Sequence, residues 1–219
     1  MNQSHGREGT KGEEVEIGLG RIKLSGELVF TPGAKGIIIF AHGSGSGRLS
    51  PRNSYVAEVL HKAGLGTLLF DLLTPEEDES YENRFDIDLL ASRLTGATDW
   101  VKRRSGSEVP RLAYFGASTG AAAALQASAG RADISAIVSR GGRPDLAWDY
   151  LRLVRAPTLL VVGGRDEEVI NLNERALAEL TIKEKQLVIV PGATHLFEEP
   201  GTLEQVARIA RDWFLKFLG

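Results

Sequence analysis

Along this chain, short unbroken apolar runs alternate with longer stretches in which apolar residues return every three or four positions. The runs sit in "KGIIIFAHG", "LGTLLFDLL", "RLAYFGAS", "ISAIVSRGG", "PTLLVVGGRD" and "KQLVIVPGATH", and their length and continuity predict buried strands. The stretches between them predict helices: "SPRNSYVAEVLHKAG", "DIDLLASRLTGATDWVKRR", "TGAAAALQASAG", "DLAWDYLRLV", "LNERALAEL" and the amphipathic "GTLEQVARIARDWFLKFL". Ser50 reads as an N-cap, Pro51 as a first-turn residue and Gly64 as a stop. Before this alternation, "VEIGLGRIKLSGELVFTPG" has the short alternating runs and glycine breaks of antiparallel strands. "TPEEDESYENR" reads as an acidic loop, and residues 1–14 as a frayed polar tail. Strands alternating with helices predict a single α/β domain over residues 15–219, built on a mostly parallel sheet covered on both faces.

In such a sheet, ligands bind beyond the carboxyl ends of the strands. A functional residue should therefore fall just after a strand. Ser118 does, inside "GASTG" between the strand "RLAYFG" and an alanine-rich helix. In a chain with 25 glycines the bare Gly-x-Ser-x-Gly pattern decides little; its strand-turn-helix setting is what marks Ser118 as a candidate nucleophile, with a serine N-cap as the plainer alternative.

A nucleophilic serine needs a base, and the chain has four histidines. His5 is in the tail and His61 within the first helix. His42 and His195 both follow strands; the "GSGSG" after His42 suggests a backbone role there, so His195, after the last strand, is the candidate base. Asp166, in "GGRDEEV", is the candidate orienting acid, one strand before His195 and in the chain order Ser, Asp, His. Glu167 and Glu168 on the same loop are its runners-up, and Asp145 and Asp71 also follow strands. A tetrahedral intermediate needs backbone donors, which Thr119, after the nucleophile, and Ser44, after the His42–Gly43 pair, are placed to supply.

Composition narrows the classes further. A net charge of −3 shows no nucleic-acid footprint. The apolar runs are too short to cross a bilayer, and no leader-like segment opens the chain. With no cysteine, thiolate metal sites and cysteine nucleophiles are excluded. The expectation is a cytoplasmic enzyme or binding protein, with no nucleic-acid or membrane partner.

Taken in order, "HGSGSG", "GASTG", "GGRDEEV" and "GATHLFEEPG" resemble the α/β-hydrolases, and within them the dienelactone-hydrolase-like branch, over residues 15–219. The resemblance implies a sheet of about seven or eight strands with a small lid or none. It also implies Ser118, Asp166 and His195 as a triad, with the Ser44 and Thr119 amides as the oxyanion hole, a small-molecule substrate and no metal or organic cofactor. Dienelactone hydrolases carry cysteine at the elbow where this chain has Ser118, so the expected activity is hydrolysis of small carboxylic esters or lactones. Acyl transfer, peptide cleavage, perhydrolysis and non-catalytic binding of a small molecule remain as alternatives. Arg48, Trp148 and Phe197 are candidate substrate contacts; Arg52, Arg140 and Arg143 lie in neighbouring loops.

Overall fold

The structure, a computed structural model, describes residues 12–30, 33–105 and 110–219. Eight strands form one sheet in the order β1-β2-β4-β3-β5-β6-β7-β8. β1 (Glu13–Leu19) and β2 (Ile22–Val29) make a hairpin, and β2 runs antiparallel to β4 (Gly66–Phe70). The remaining strands, β3 (Gly36–Ala41), β5 (Arg111–Ala117), β6 (Ile134–Arg140), β7 (Thr158–Gly163) and β8 (Lys185–Val190), are parallel to their neighbours. Residues 1–11 of the expected tail lie outside the described residues, whereas Glu13 and Glu14, assigned to the same tail, open β1.

The two faces of the sheet bury separate cores. On one, Ile39, Phe70, Tyr114 and Ile137 pack against α3 (Ile87–Arg104) and α4 (Thr119–Ser128). On the other, Ile38, Phe40, Phe115 and Val138 meet α1 (Pro51–Lys62) and α6 (Thr202–Leu218). The strands read as continuous apolar runs because both sides of each are covered. α1 begins as its sequence requires: Ser50 Oγ accepts from the Asn53 N–H, and Pro51 takes the first turn.

Three elements differ from expectation. The acidic loop contains a short helix, α2 (Pro75–Asp78), with a reciprocal capping box between Thr74 and Glu77. Arg84 grips Asp78 within the segment, and Arg93 of α3 pairs with Glu77, so the segment is closed on itself and tied to α3. Residues 145–154, expected as a helix, fall instead mostly within a 3₁₀ segment, Pro144–Leu153, kinked at Ala147, whose φ is −121°. No larger lid element intervenes between β6 and β7. α5 (Glu167–Glu179) completes the set and starts earlier than its apolar pattern suggested; Asp166 holds its N-cap position through its carbonyl, which accepts from the Ile170 N–H, with no side-chain cap bond.

Candidate active site

Ser118 leaves β5 with φ 52° and ψ −119°, in a region that non-glycine residues seldom occupy. The turn is pinned on both sides. Ser118 N–H donates to the Arg140 carbonyl at 3.2 Å, and the Ser118 carbonyl accepts from Arg143 N–H at 3.2 Å. Gly120 is what lets α4 start so tightly, since a Cβ there would overlap the Ala41 and His42 carbonyl oxygens at the end of β3. A backbone held by neighbouring strands in a strained conformation presents its side chain outward, and Ser118 is half-buried while Thr119 and Gly120 behind it are buried.

His195, in the loop after β8, donates from Nδ1 to Asp166 Oδ2 at 2.6 Å. Asp166 is acceptor-only when ionised, so the imidazole proton sits on Nδ1 and Nε2 is left as a base. The ring is 37% exposed and the carboxylate 16%. It lies against the turn that holds Ser118: a methyl group at Gly141 would stand 3.5 Å from His195 Cε1 and Nδ1. Among the described residues, neither Ser118 Oγ nor His195 Nε2 has a hydrogen-bond partner.

The competing candidates have other partners. Asp145 receives a bidentate grip from Arg143, at 2.8 and 2.7 Å, and this ion pair raises the Arg143 guanidinium above its ordinary value. Asp71 accepts from the Arg48 N–H at 2.8 Å and pairs with its Nε at 3.3 Å. Glu167 and Glu168 form the exposed first turn of α5. His42 is 7% exposed; its Nε2 accepts from Leu72 N–H at 3.0 Å, so its proton is on Nδ1, which donates to the Gly43 carbonyl at 3.0 Å. Burial lowers the His42 value below the ordinary histidine range. It is a neutral tether between the loop after β3 and the loop after β4.

The remaining residues that sequence brought forward are placed less simply. The loop after β3 reaches the elbow, and a Cβ at Gly43 would lie 3.1 Å from Ser118 Cβ. The Ser44 amide on that loop is not free, however, because it donates to Thr119 Oγ1 at 2.9 Å. Sequence reading locates an amide but not the side chain that meets it. Arg48 is engaged by Asp71 and, at 3.8 Å, by Glu14. Trp148 is 36% exposed on the 3₁₀ segment, under the Arg175 guanidinium at 5.3 Å. Phe197 is a correction: with φ 56° it turns inward, is 1% exposed and belongs to the core shared with α1 and α6, so it is not an open substrate contact.

Arg140, expected in a loop, ends β6 and is buried. Its guanidinium reaches Asn53 Oδ1 at 3.4 Å, and Nη1 has no partner among the described residues. Burial, with a smaller contribution from Arg52, pulls it down to about 10. Among the described residues no group of three or more His, Cys, Asp or Glu is placed to hold a metal, and no helix is long and apolar enough to cross a membrane.

This sheet order, with a serine elbow after β5 and a histidine–aspartate pair after β8 and β7, is that of an α/β-hydrolase. Residues 34–218 match the dienelactone hydrolase family, to which the chain belongs. The crystal structure of a dienelactone hydrolase from Anabaena variabilis is 55% identical, covers 97% of this chain and 100% of its own, and has a TM-score of 0.93. A Mycobacterium tuberculosis protein named "Putative phosphoribosyl transferase" is 58% identical over 207 residues, 94% of this chain and 46% of that protein. The chain thus spans about half the length of that relative. Est1E from Butyrivibrio proteoclasticus shares the fold at 18% identity, with a TM-score of 0.79 and coverage of 94% of this chain and 98% of its own.

Proposed function

We propose that this protein is a serine hydrolase that cleaves small carboxylic esters or lactones through an acyl-enzyme on Ser118. The observation that carries the reading is the His195 Nδ1–Asp166 Oδ2 hydrogen bond of 2.6 Å, set beside a serine whose backbone is strained outward at the strand exit. His195 Nε2 takes the Ser118 proton as Oγ bonds to the acyl carbon. The imidazolium that forms is stabilised by Asp166, and its proton then goes to the leaving alkoxide. A water, deprotonated by the same nitrogen, releases the acid. The sequence between β6 and β7 adds no large covering element, which supports short or compact acyl groups over long chains. Serine at the elbow, in place of the family's cysteine, supports ordinary esters over dienelactone itself. Small-molecule substrate and a cytoplasmic setting remain part of this reading. The transferase name attaches to a protein more than twice this length, and no feature of this site favours that chemistry.

Treatment with a fluorophosphonate, followed by intact mass and peptide mapping, tests the reading. One adduct on Ser118, lost in His195→Ala, is the expected result. No adduct in a folded sample, or an adduct elsewhere, overturns it.

A further inference from the structure

Thr119 follows Ser118 at the start of α4, Ser44 follows the Gly43 that abuts the Ser118 side chain, and the contact between the two changes what each can do. An amide has one hydrogen, and that of Ser44 is committed to Thr119 Oγ1 at 2.9 Å. A hydroxyl has one hydrogen and two acceptor lone pairs. Thr119 has filled a lone pair, while among the described residues its own hydrogen has no acceptor. The residue is 2% exposed, so bulk water does not provide one freely. Its backbone N–H, at the first position of α4, has no acceptor within the helix either. One buried residue immediately after Ser118 therefore carries two donors still to be satisfied.

We propose that the oxyanion is held by Thr119 through both groups, its backbone N–H and its hydroxyl, with the Ser44 N–H acting one bond behind the hydroxyl. This rests on the serine-hydrolase reading above. As Ser118 Oγ bonds to the acyl carbon, its proton passes to His195 Nε2 and the carbonyl π pair moves onto oxygen. Thr119 Oγ–H donates a hydrogen bond to that oxygen and keeps its proton. When the pair returns, the carbonyl re-forms and the alkoxide leaves with the proton from His195. An O–H that itself accepts from an N–H is polarised and donates more strongly than a free hydroxyl. Thr119 is then a catalytic residue, and Ser44 a positioning residue that acts through it. The opposing arrangement has the oxyanion displace Oγ1 and take the Ser44 N–H directly, which would make the hydroxyl an obstacle.

Thr119→Val separates the two, since it removes the hydroxyl while keeping the shape and the amide. With p-nitrophenyl acetate, the relay predicts a kcat reduced about 100-fold, the scale of one lost oxyanion donor. KM should stay close to that of the wild type, and Thr119→Ser should restore most of the turnover. Inhibition by a trifluoromethyl ketone, which forms a tetrahedral oxyanion on serine, should weaken by the same factor as kcat/KM. A kcat that is unchanged or raised in folded Thr119→Val overturns the relay. Should that variant not fold, Thr119→Ala gives the same contrast. If Ser118 takes the fluorophosphonate label while Thr119→Val keeps full turnover, the relay alone fails. If Ser118 takes no label, the underlying reading fails and the relay with it.

Discussion

His42 and His195 both lie beyond the carboxyl ends of parallel strands of one sheet, yet they are chemically opposite. His42 is 7% exposed and both of its ring nitrogens are satisfied by backbone groups, Leu72 N–H on Nε2 and the Gly43 carbonyl on Nδ1. His195 is 37% exposed, with Nδ1 held by Asp166 and Nε2 open. What marks a histidine as a base is the nitrogen left over once its surroundings are served. The same holds for the acids. Asp145 has both oxygens matched by Arg143, while Asp166 turns one to an imidazole.

The largest expected effect comes from the two histidines. His195→Ala should lower turnover of a short-chain ester by about 10⁴-fold or more, with the melting temperature nearly unchanged. His42→Ala should do the reverse: it leaves the Leu72 N–H without its acceptor and empties a buried site, costing about 2–4 kcal/mol. For a chain of this size that lowers the melting temperature by roughly 5–15 °C, with a smaller loss of turnover as the loop loosens. Similar profiles for both variants, in calorimetry and steady-state kinetics, would erase the contrast.

The acids come next. Asp166→Asn should cost about 10³–10⁴-fold in kcat, because an amide favours the wrong imidazole tautomer. Asp145→Asn should change it by less than about tenfold, the consequence of a disturbed surface pair. A larger loss from Asp145→Asn would reverse the assignment.

The smallest effect is on stability against pH. Burial holds His42 and His61 below the ordinary histidine value in the folded protein. The unfolded chain takes up those protons near pH 6.5, the folded chain only at lower pH. Stability from this source is complete above about pH 6.5 and declines as pH falls below it. Asp133, held below the usual carboxylate range by Arg131, acts in the opposite way on the charge but loses its stabilising effect only near pH 4 and below. Urea titrations between pH 7.5 and 5 should show the decline, and His61→Gln should make it shallower. A flat profile over that interval would remove the argument that these rings are kept neutral by burial.

The order of strands and helices was legible in the sequence because each parallel strand is covered on both faces and so writes itself as an unbroken apolar run. The elbow, the acid loop and the histidine loop were legible for the same reason, since each begins where such a run stops. What was not legible depends on direction rather than position. Phe197 follows the candidate base by two residues, but its positive φ sends the ring into the core. The apolar spacing of residues 144–153 suits an α-helix, yet Pro144 opens the segment, Ala147 kinks it and Val154 is bridged to Ala129. The short helix after β4 was announced by Thr74-Pro75-Glu76-Glu77, a capping box that an acidic composition conceals. No sequence pattern shows that the Thr119 hydroxyl meets the Ser44 amide across 75 residues.

The Ser118 backbone is clamped between Arg140 and Arg143, the two ends of the turn that leaves β6. Anyone wishing to graft a new covering loop on this scaffold would therefore do worst at that turn, where an insertion pulls directly on the Ser118 backbone. The segment after β4 is the safer socket. Thr74, Glu77, Asp78 and Arg84 close on one another and Glu77 ties the segment to Arg93 of α3, so residues 74–84 can be exchanged as a cassette if the Arg93 contact is kept, while the elbow keeps its shape.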